Sequence, residues 1–296
     1  ETIWLPYEIN ILAVQSRELP DRVVYLWFYE HTLFDAFERG HSIFHGPLKT
    51  HMQVNDDGLS ARLHSLVGQA AKLHCKPVHD GVDLWLRVTN QTDYDWPEIG
   101  GLIPCLFPGS PDPRFPDPPI DELFRDEEHA RTWFVGEEDL ELLDNRDIHF
   151  NHRLRELTDD AASVDGTYSF TVKWPTSSRN AHAGLMIRES ADGEWVTGIG
   201  WKDFVSVQGH NPLRCLHPGA KIGPLAPGET KTIIGKIYLF KGDRDDCLER
   251  YRDDFSAANI AKKTGFDPWA CDSFEPFVEV SGSGNTPQPR RHHGDL

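Results

Sequence analysis

No run of apolar residues in this chain approaches the roughly 18 that a helix needs to cross a bilayer, so no helical membrane span is expected. Cations are scarce. Thirty Lys and Arg stand against 47 Asp and Glu, for a net charge of −17. That balance argues against nucleic acid as a partner, although a local cluster of cations can still hold an anionic ligand. Cysteine is sparse too. The five residues Cys75, Cys105, Cys215, Cys247 and Cys271 include no C-x-x-C pair, which argues against a Cys-built zinc site and favours buried thiols. One disulfide stays open as an alternative for a secreted chain. There is no Gly-rich phosphate loop, nucleophile elbow or H-E-x-x-H helix, so nucleotide hydrolysis, serine-hydrolase and zincin chemistry have no motif to rest on. No internal repeat is visible.

What is present is β-forming sequence. A chain of 296 residues with 39% hydrophobic content suits one large all-β domain. Thr2 to Val14 holds short apolar strands, and residues 22–29 (RVVYLWFY) read as a buried strand. Thr32 with Asp35 suits a capped short helix carrying Leu33, Phe34 and Phe37. Residues 59–67, 71–78 and 82–89 form a meander joined by Asn55-Asp56-Asp57-Gly58 and Asp80-Gly81 turns. Val82, Leu84, Leu86 and Val88 fall on one face of its last strand. Seven prolines between 104 and 119 predict a stiff surface loop, and residues 121–128 an acidic, solvated helical turn. Strands are also expected at 168–174, 185–189 and from Trp195. Residues 244–263 read as one long helix with Leu248, Tyr251 and Phe255 on its apolar side. The domain is expected over residues 1–280. A mobile tail, 281–296, would follow, with a His292-His293 pair too isolated to be a metal site. The chain opens on Glu1 rather than Met, consistent with a removed leader or a trimmed start; the compartment, periplasmic, secreted or cytoplasmic, stays open.

Three segments alternate in a way that points to chemistry. If each is an unbulged strand, period 2 places His129, Arg131 and Trp133 on one face. It places His149, Asn151, Arg153 and Arg155 together in the second segment, and Ser206, Gln208 and His210 in the third. Imidazole is the side chain most readily tuned for proton transfer near neutral pH. His210 and His149 are therefore the candidate acid–base pair, with Arg131 as a clamp for developing negative charge. Gln208, Asn151, Arg153, His129 and Asn211 are candidate substrate-binding groups, and Trp133 and Trp201 candidate stacking platforms. Glu98 is the one carboxylate in an unusual setting. His149, His210 and His217 form an alternative metal trio. No cofactor is expected, and a divalent metal stays open.

The run Asp80-Gly81-Val82-Asp83-Leu84-Trp85-Leu86-Arg87-Val88-Thr89-Asn90, followed by Val205-Ser206-Val207-Gln208 and then Leu225-Ala226-Pro227-Gly228-Glu229-Thr230, resembles the aldose-1-epimerase (galactose mutarotase-like) superfamily over roughly residues 50–240. The resemblance implies an antiparallel β-supersandwich and a carbohydrate ligand on the concave face of its sheet. It also exposes two departures. At the position best matching the family's catalytic carboxylate stands Gln208, whose amide binds but takes no proton at neutral pH. Where members often carry a His after the VTN turn, this chain has Gly101-Leu102-Ile103-Pro104.

The expected function is thus a soluble carbohydrate-active enzyme using His-based proton transfer, of lyase, hydrolase or epimerase type. A non-catalytic carbohydrate-binding or assembly module is the alternative, and a metal-dependent sugar enzyme the second. The sharpest geometric expectation is that the polar faces of 129–133, 149–153 and 206–210 line one cavity.

Overall fold

The computed structural model describes residues 2–4, 11–20, 22–32, 49–55, 58–65, 69–91, 93, 95–96, 98–108, 122–126, 128–144, 146–157, 176–210 and 215–269. The strands in chain order begin with β1 (Thr2–Trp4), β2 (Ile11–Gln15), β3 (Val24–Thr32), β4 (Lys49–Asn55), β5 (Gly58–Ser65) and β6 (Gln69–Val78). Next come β7 (Gly81–Asn90), β8 (Gly101–Pro108), β9 (Thr132–Val135), β10 (Leu140–Leu142), β11 (His149–Phe150) and β12 (Gly184–Glu189). The last are β13 (Trp195–Trp201), β14 (Phe204–Val207), β15 (Gly209–His210), β16 (Cys215–Leu216), β17 (Gly219–Lys221) and β18 (Thr230–Lys241), followed by α1 (Arg244–Asp254) and α2 (Ala257–Gly265).

They build two nine-stranded sheets with antiparallel ladders. Sheet A runs β1-β2-β3-β8-β17-β14-β11, with the short β15–β16 pair attached through β8; sheet B runs β10-β9-β12-β13-β18-β7-β6-β5-β4. The expected antiparallel supersandwich is the observed architecture. Its interior takes Leu12, Val14, Val24, Leu26, Leu102 and Leu106 from sheet A and Val82, Leu84, Leu86, Val88, Ile233 and Ile237 from sheet B. The alternation read from β7 holds. Its four aliphatic residues are fully buried in this core, while Asp83, Arg87 and Thr89 on the other face are half-buried.

The segments that carried the family resemblance are locked together. Asn90, fully buried, donates through Nδ2 to the Leu225 carbonyl at 2.9 Å. Its backbone N–H donates to Glu229 O at 3.0 Å and its carbonyl accepts from Gly228 N at 2.8 Å. The VTN and LAPGET turns are thus two sides of one corner joining β7 to β18.

Three expectations are corrected, and one strand is new. Pro104 and Pro108 lie inside β8, not in a loop. Pro104 is tolerated because the β3–β8 register shifts there, between Trp27↔Cys105 and His31↔Ile103. A residue without an N–H fits where the ladder is interrupted. The segment 122–126 is no solvated helix: Phe124 is fully buried in the core, and Asp126 is buried and accepts from Ala130 N, Arg131 N and Thr132 Oγ1. The single helix over 244–263 is two helices. Phe255 ends α1, and Ser256, in extended conformation, caps α2 by accepting from Asn259 N through Oγ. β4, not foreseen, pairs with β5 along its whole length at the edge of sheet B. The expected helix after Thr32, the strand at 168–174, the prolines beyond 108 and the tail 281–296 lie outside the described residues.

α1 covers the outer face of sheet B. Cys247, Leu248 and Tyr251 pack with Leu185, Ile187, Val196, Tyr238 and Phe240. The approach is close: a Cβ on Gly200 would come within 2.7 Å of the Tyr251 ring, so β13 accepts only glycine there. A buried charge network pins the helix down. Lys236, 3% exposed, contacts Asp80 at 2.7 Å and Asp254 at 2.8 Å, and Tyr238 donates its hydroxyl to Asp254 at 3.1 Å.

The chain divides after Phe266 into two units, residues 1–266 and 267–296. All the strands and both helices belong to the first. In the second, the described residues 267–269 form a turn in which Trp269 N donates to Asp267 Oδ1.

Candidate active site

Between β13 and β14 the chain crosses from sheet B to sheet A through Lys202-Asp203. That crossing, the turn after β11 and the C-terminal end of α1 enclose a cleft of about 770 Å³. Its size falls within the roughly 300–1,000 Å³ typical of small-ligand sites. Four cations, Arg153, Lys202, Lys221 and Arg252, and two carboxylates, Glu98 and Asp203, line this space. Phe204, Tyr251 and Phe255 supply an aromatic flank, and two histidines, His152 and His182, stand on the wall.

Local chemistry fixes these groups. Asn151 is consumed by structure: its N–H donates to Val205 O at 2.8 Å, Nδ2 donates to Phe204 O at 3.0 Å, and Oδ1 accepts from Arg153 N at 3.0 Å. This Asx-type turn projects His152 and Arg153 past the end of β11. His152 N donates to Ala181 O at 3.0 Å, so its ring is registered beside His182. The two imidazoles stack with centroids 4.1 Å apart and planes 1° from parallel. The His152 pKa is lowered, first by burial and then by the neighbouring His182. Both effects disfavour the protonated ring. Lys221 forms an ion pair with Glu98 and holds the Lys202-Asp203 turn through its N–H to Asp203 O at 2.9 Å. Behind it Lys231 donates to Lys221 O at 3.1 Å. Its pKa is lowered by burial, and Lys221 and Lys202 lower it further while Asp203 and Glu98 work the other way.

Among the described residues the three segments do not line one cavity, because their polar side chains point in different directions. His149 is the Cα partner of Val207, a core residue, so its side chain enters the sandwich interior. There it is fully buried, 4.3 Å from the Phe134 ring, and its pKa falls to about 4, mainly through burial and then through Arg179. Ser206 and Gln208 alternate with Val207 and lie on the opposite, outer face of sheet A. Gln208 is buried and donates to Arg146 O at 3.1 Å. His210 stands opposite Cys215 in the β15–β16 pair; its side chain and Asn211 lie outside the described residues. His149 and the Gln208 position are thus separated by their own sheet.

Residues 129–133 do not form one regular strand. His129 takes φ 55°, the left-handed region, and β9 starts only at Thr132. His129 is consequently buried beside Arg188, whose Nη2 lies 3.1 Å from Nδ1. Arginine can only donate, so His129 Nδ1 accepts. Arg131 is half-buried and donates to the Arg125 carbonyl. Trp133 faces α1, its ring capped by the Arg244 guanidinium at 4.0 Å and its Nε1 donating to Glu189 at 3.3 Å. Trp201 is fully buried in the core and offers no platform to a ligand. Of the expected substrate-binding groups, Asn151 and Arg153 line the cleft, as does Glu98. The metal trio is split: His149 is interior, whereas His217 follows Cys215 on the outer side of sheet A. Among the described residues, the group of potential metal donors that converges is Cys105, Cys215 and His217.

His152, His182, Lys202 and Lys221 escape sequence reading because they come from four separate turns and strand ends. The one available signal is the phase of β11. It has only two residues, so the alternation cannot be carried through to 152.

No family model and no curated protein matches this chain. Solved structures to which it is similar include a galactose mutarotase-like protein from Clostridium acetobutylicum, at 10% identity and TM-score 0.38, covering 78% of this chain and 86% of that one. A galactose mutarotase related enzyme from Lactobacillus acidophilus is similar at 9% identity and TM-score 0.39, covering 82% of this chain and 99% of that one.

Proposed function

We propose that this protein acts on a carbohydrate bearing an acidic group, bound in the cleft between the β13–β14 crossing and α1, by proton transfer through the His152–His182 pair. The observation that carries the reading is a cation-rich, aromatic-flanked cleft in a chain of net charge −17. Lys202, Lys221 and Arg153 suit a uronate carboxylate, and Phe204, Tyr251 and Phe255 suit the apolar face of a sugar ring. With the carboxylate neutralised by lysine, the hydrogen on the carbon next to it becomes acidic enough for a neutral imidazole to remove. The stacked partner holds the ring in place, and the lysines stabilise the enolate-like charge on the carboxylate. Delivery of a proton to the other face by a second acid gives an epimer. Departure of a neighbouring glycosidic oxygen, protonated by the imidazolium just formed, gives elimination.

The test is solvent deuterium incorporation and product mass on a panel of uronate-containing oligosaccharides beside neutral glycans. Deuterium at the carbon next to the carboxylate, or an unsaturated product, is expected for uronates only. His182→Gln is expected to lower kcat about 100-fold or more with little change in KM. Equal action on neutral glycans, or full activity in the His152→Gln/His182→Gln double variant, would overturn the reading.

A further inference from the structure

On the outer face of sheet A, among residues that do not line the cleft, three metal-binding side chains converge. Cys105 comes from β8, Cys215 from β16, and His217 from the residue just past β16. The pairing Leu216↔Leu106 brings these segments side by side. The two sulfurs and a ring nitrogen of His217 lie within 4.8 Å of one another, and all three residues are buried. In a tetrahedral zinc site with bonds of about 2.0–2.3 Å, neighbouring donors are somewhat under about 4 Å apart. Closing the group therefore needs shifts of about an ångström.

The histidine is held as a metal ligand is held. Its Nδ1 meets the Pro104 carbonyl at 3.1 Å. A carbonyl only accepts, so Nδ1 carries the proton and the neutral ring keeps its lone pair on Nε2. A backbone carbonyl fixing the far nitrogen in this way is the usual support of a metal-bound imidazole. The donor set discriminates as well. Two thiols and an imidazole suit a borderline or soft ion, and the group contains no oxygen donor of the kind calcium or magnesium requires. The β3–β8 register shift falls at Pro104, so a tie between β8 and β16 would stand next to it.

We propose that Cys105, Cys215 and His217 bind one zinc ion. Both thiols release their protons to solvent as the thiolates coordinate, His217 stays neutral, and no electron is transferred. Water or a further group takes the fourth position.

The experiment titrates the reduced, metal-free full chain with Co²⁺. The expected result is a thiolate-to-cobalt charge-transfer band with the intense visible bands of tetrahedral cobalt, saturating at one ion per chain and abolished by Zn²⁺. Cys105→Ser and Cys215→Ser are expected to lose the band, and His217→Gln to weaken binding by at least about tenfold. Cys75→Ser and Cys247→Ser, buried elsewhere, are expected to keep it. The wild-type spectrum decides by itself should a variant fail to fold. A wild-type chain with no thiolate band overturns the proposal, as does a band that survives in the Cys105→Ser/Cys215→Ser double variant. A Cys105–Cys215 disulfide, seen as the loss of two hydrogens in the Zn²⁺-treated chain, overturns it too.

Discussion

His149 shows how one register position decides what a residue does. The alternation of residues 148–155 put it on a polar face with Asn151 and Arg153. Its ladder partner Val207 puts it inside the sandwich instead, against Phe134. Neither ring nitrogen makes a hydrogen bond of good geometry, and the neutral form is favoured, with the pKa lowered to about 4. The sign follows from linkage. The unfolded chain binds this proton near pH 6.5 and the folded chain only near 4, so stability falls as pH drops through that window and is level above it. The gap corresponds to about 3 kcal/mol for this fully buried group. Thermal midpoints measured from pH 7.5 to 4 are expected to fall steeply for the wild type. His149→Leu is expected to flatten the slope whatever its effect at pH 7.5; an unchanged slope would show that another group titrates. Asp80 does not share this window. Burial would raise its pKa, but the Lys236 ammonium outweighs that and lowers it, so its contribution is lost only below the ordinary Asp range.

At the scale of elements, the sequence was legible where strands are long and regular. β7 shows its buried and exposed faces directly, and the strands flanking the Asp80-Gly81 turn lie close to the expected places. It was illegible where a side chain overrides a local preference. Ser256 splits one amphipathic run into two helices by competing for the backbone N–H groups. Pro104 enters a sheet because the register shift removes the demand for its missing donor. His129, in a left-handed conformation, breaks the phase of what looked like a strand. The corner built by Asn90 is the exception in which a short motif carried its structure with it. Asn90→Ala removes the Nδ2 bond and leaves the Leu225 carbonyl without that donor, and is expected to cost about 1–3 kcal/mol in denaturant unfolding. Asn90→Asp is expected to be at least as damaging, since a carboxylate cannot donate to a carbonyl. A loss under a few tenths of a kcal/mol in both variants would mean that backbone bonds alone hold the corner.

At the scale of the molecule, charge and position diverge. The chain is acidic overall, yet the cleft where it crosses between sheets concentrates lysine and arginine. For the proposed acidic ligand, carboxylates elsewhere would repel at long range and the local cations would attract at short range. Such binding weakens with salt, because part of the attraction acts through screened solvent. The fold also places the two sets of histidines in different surroundings. The residues first favoured, His149 and His210, occupy a buried interior and a short β15–β16 pair, whereas His152 and His182, which the sequence pattern did not single out, stand on the wall of an open cleft.

The most direct test of the central claim is calorimetric titration of the wild type and the Lys202→Ala/Lys221→Ala double variant with uronate oligosaccharides and their neutral counterparts at low salt. The account predicts uronate binding by the wild type at least about tenfold tighter than neutral binding, a gap of about 1.4 kcal/mol, and loss of that preference in the double variant. Equal affinity for charged and neutral ligands, or a preference that survives without both lysines, would contradict it.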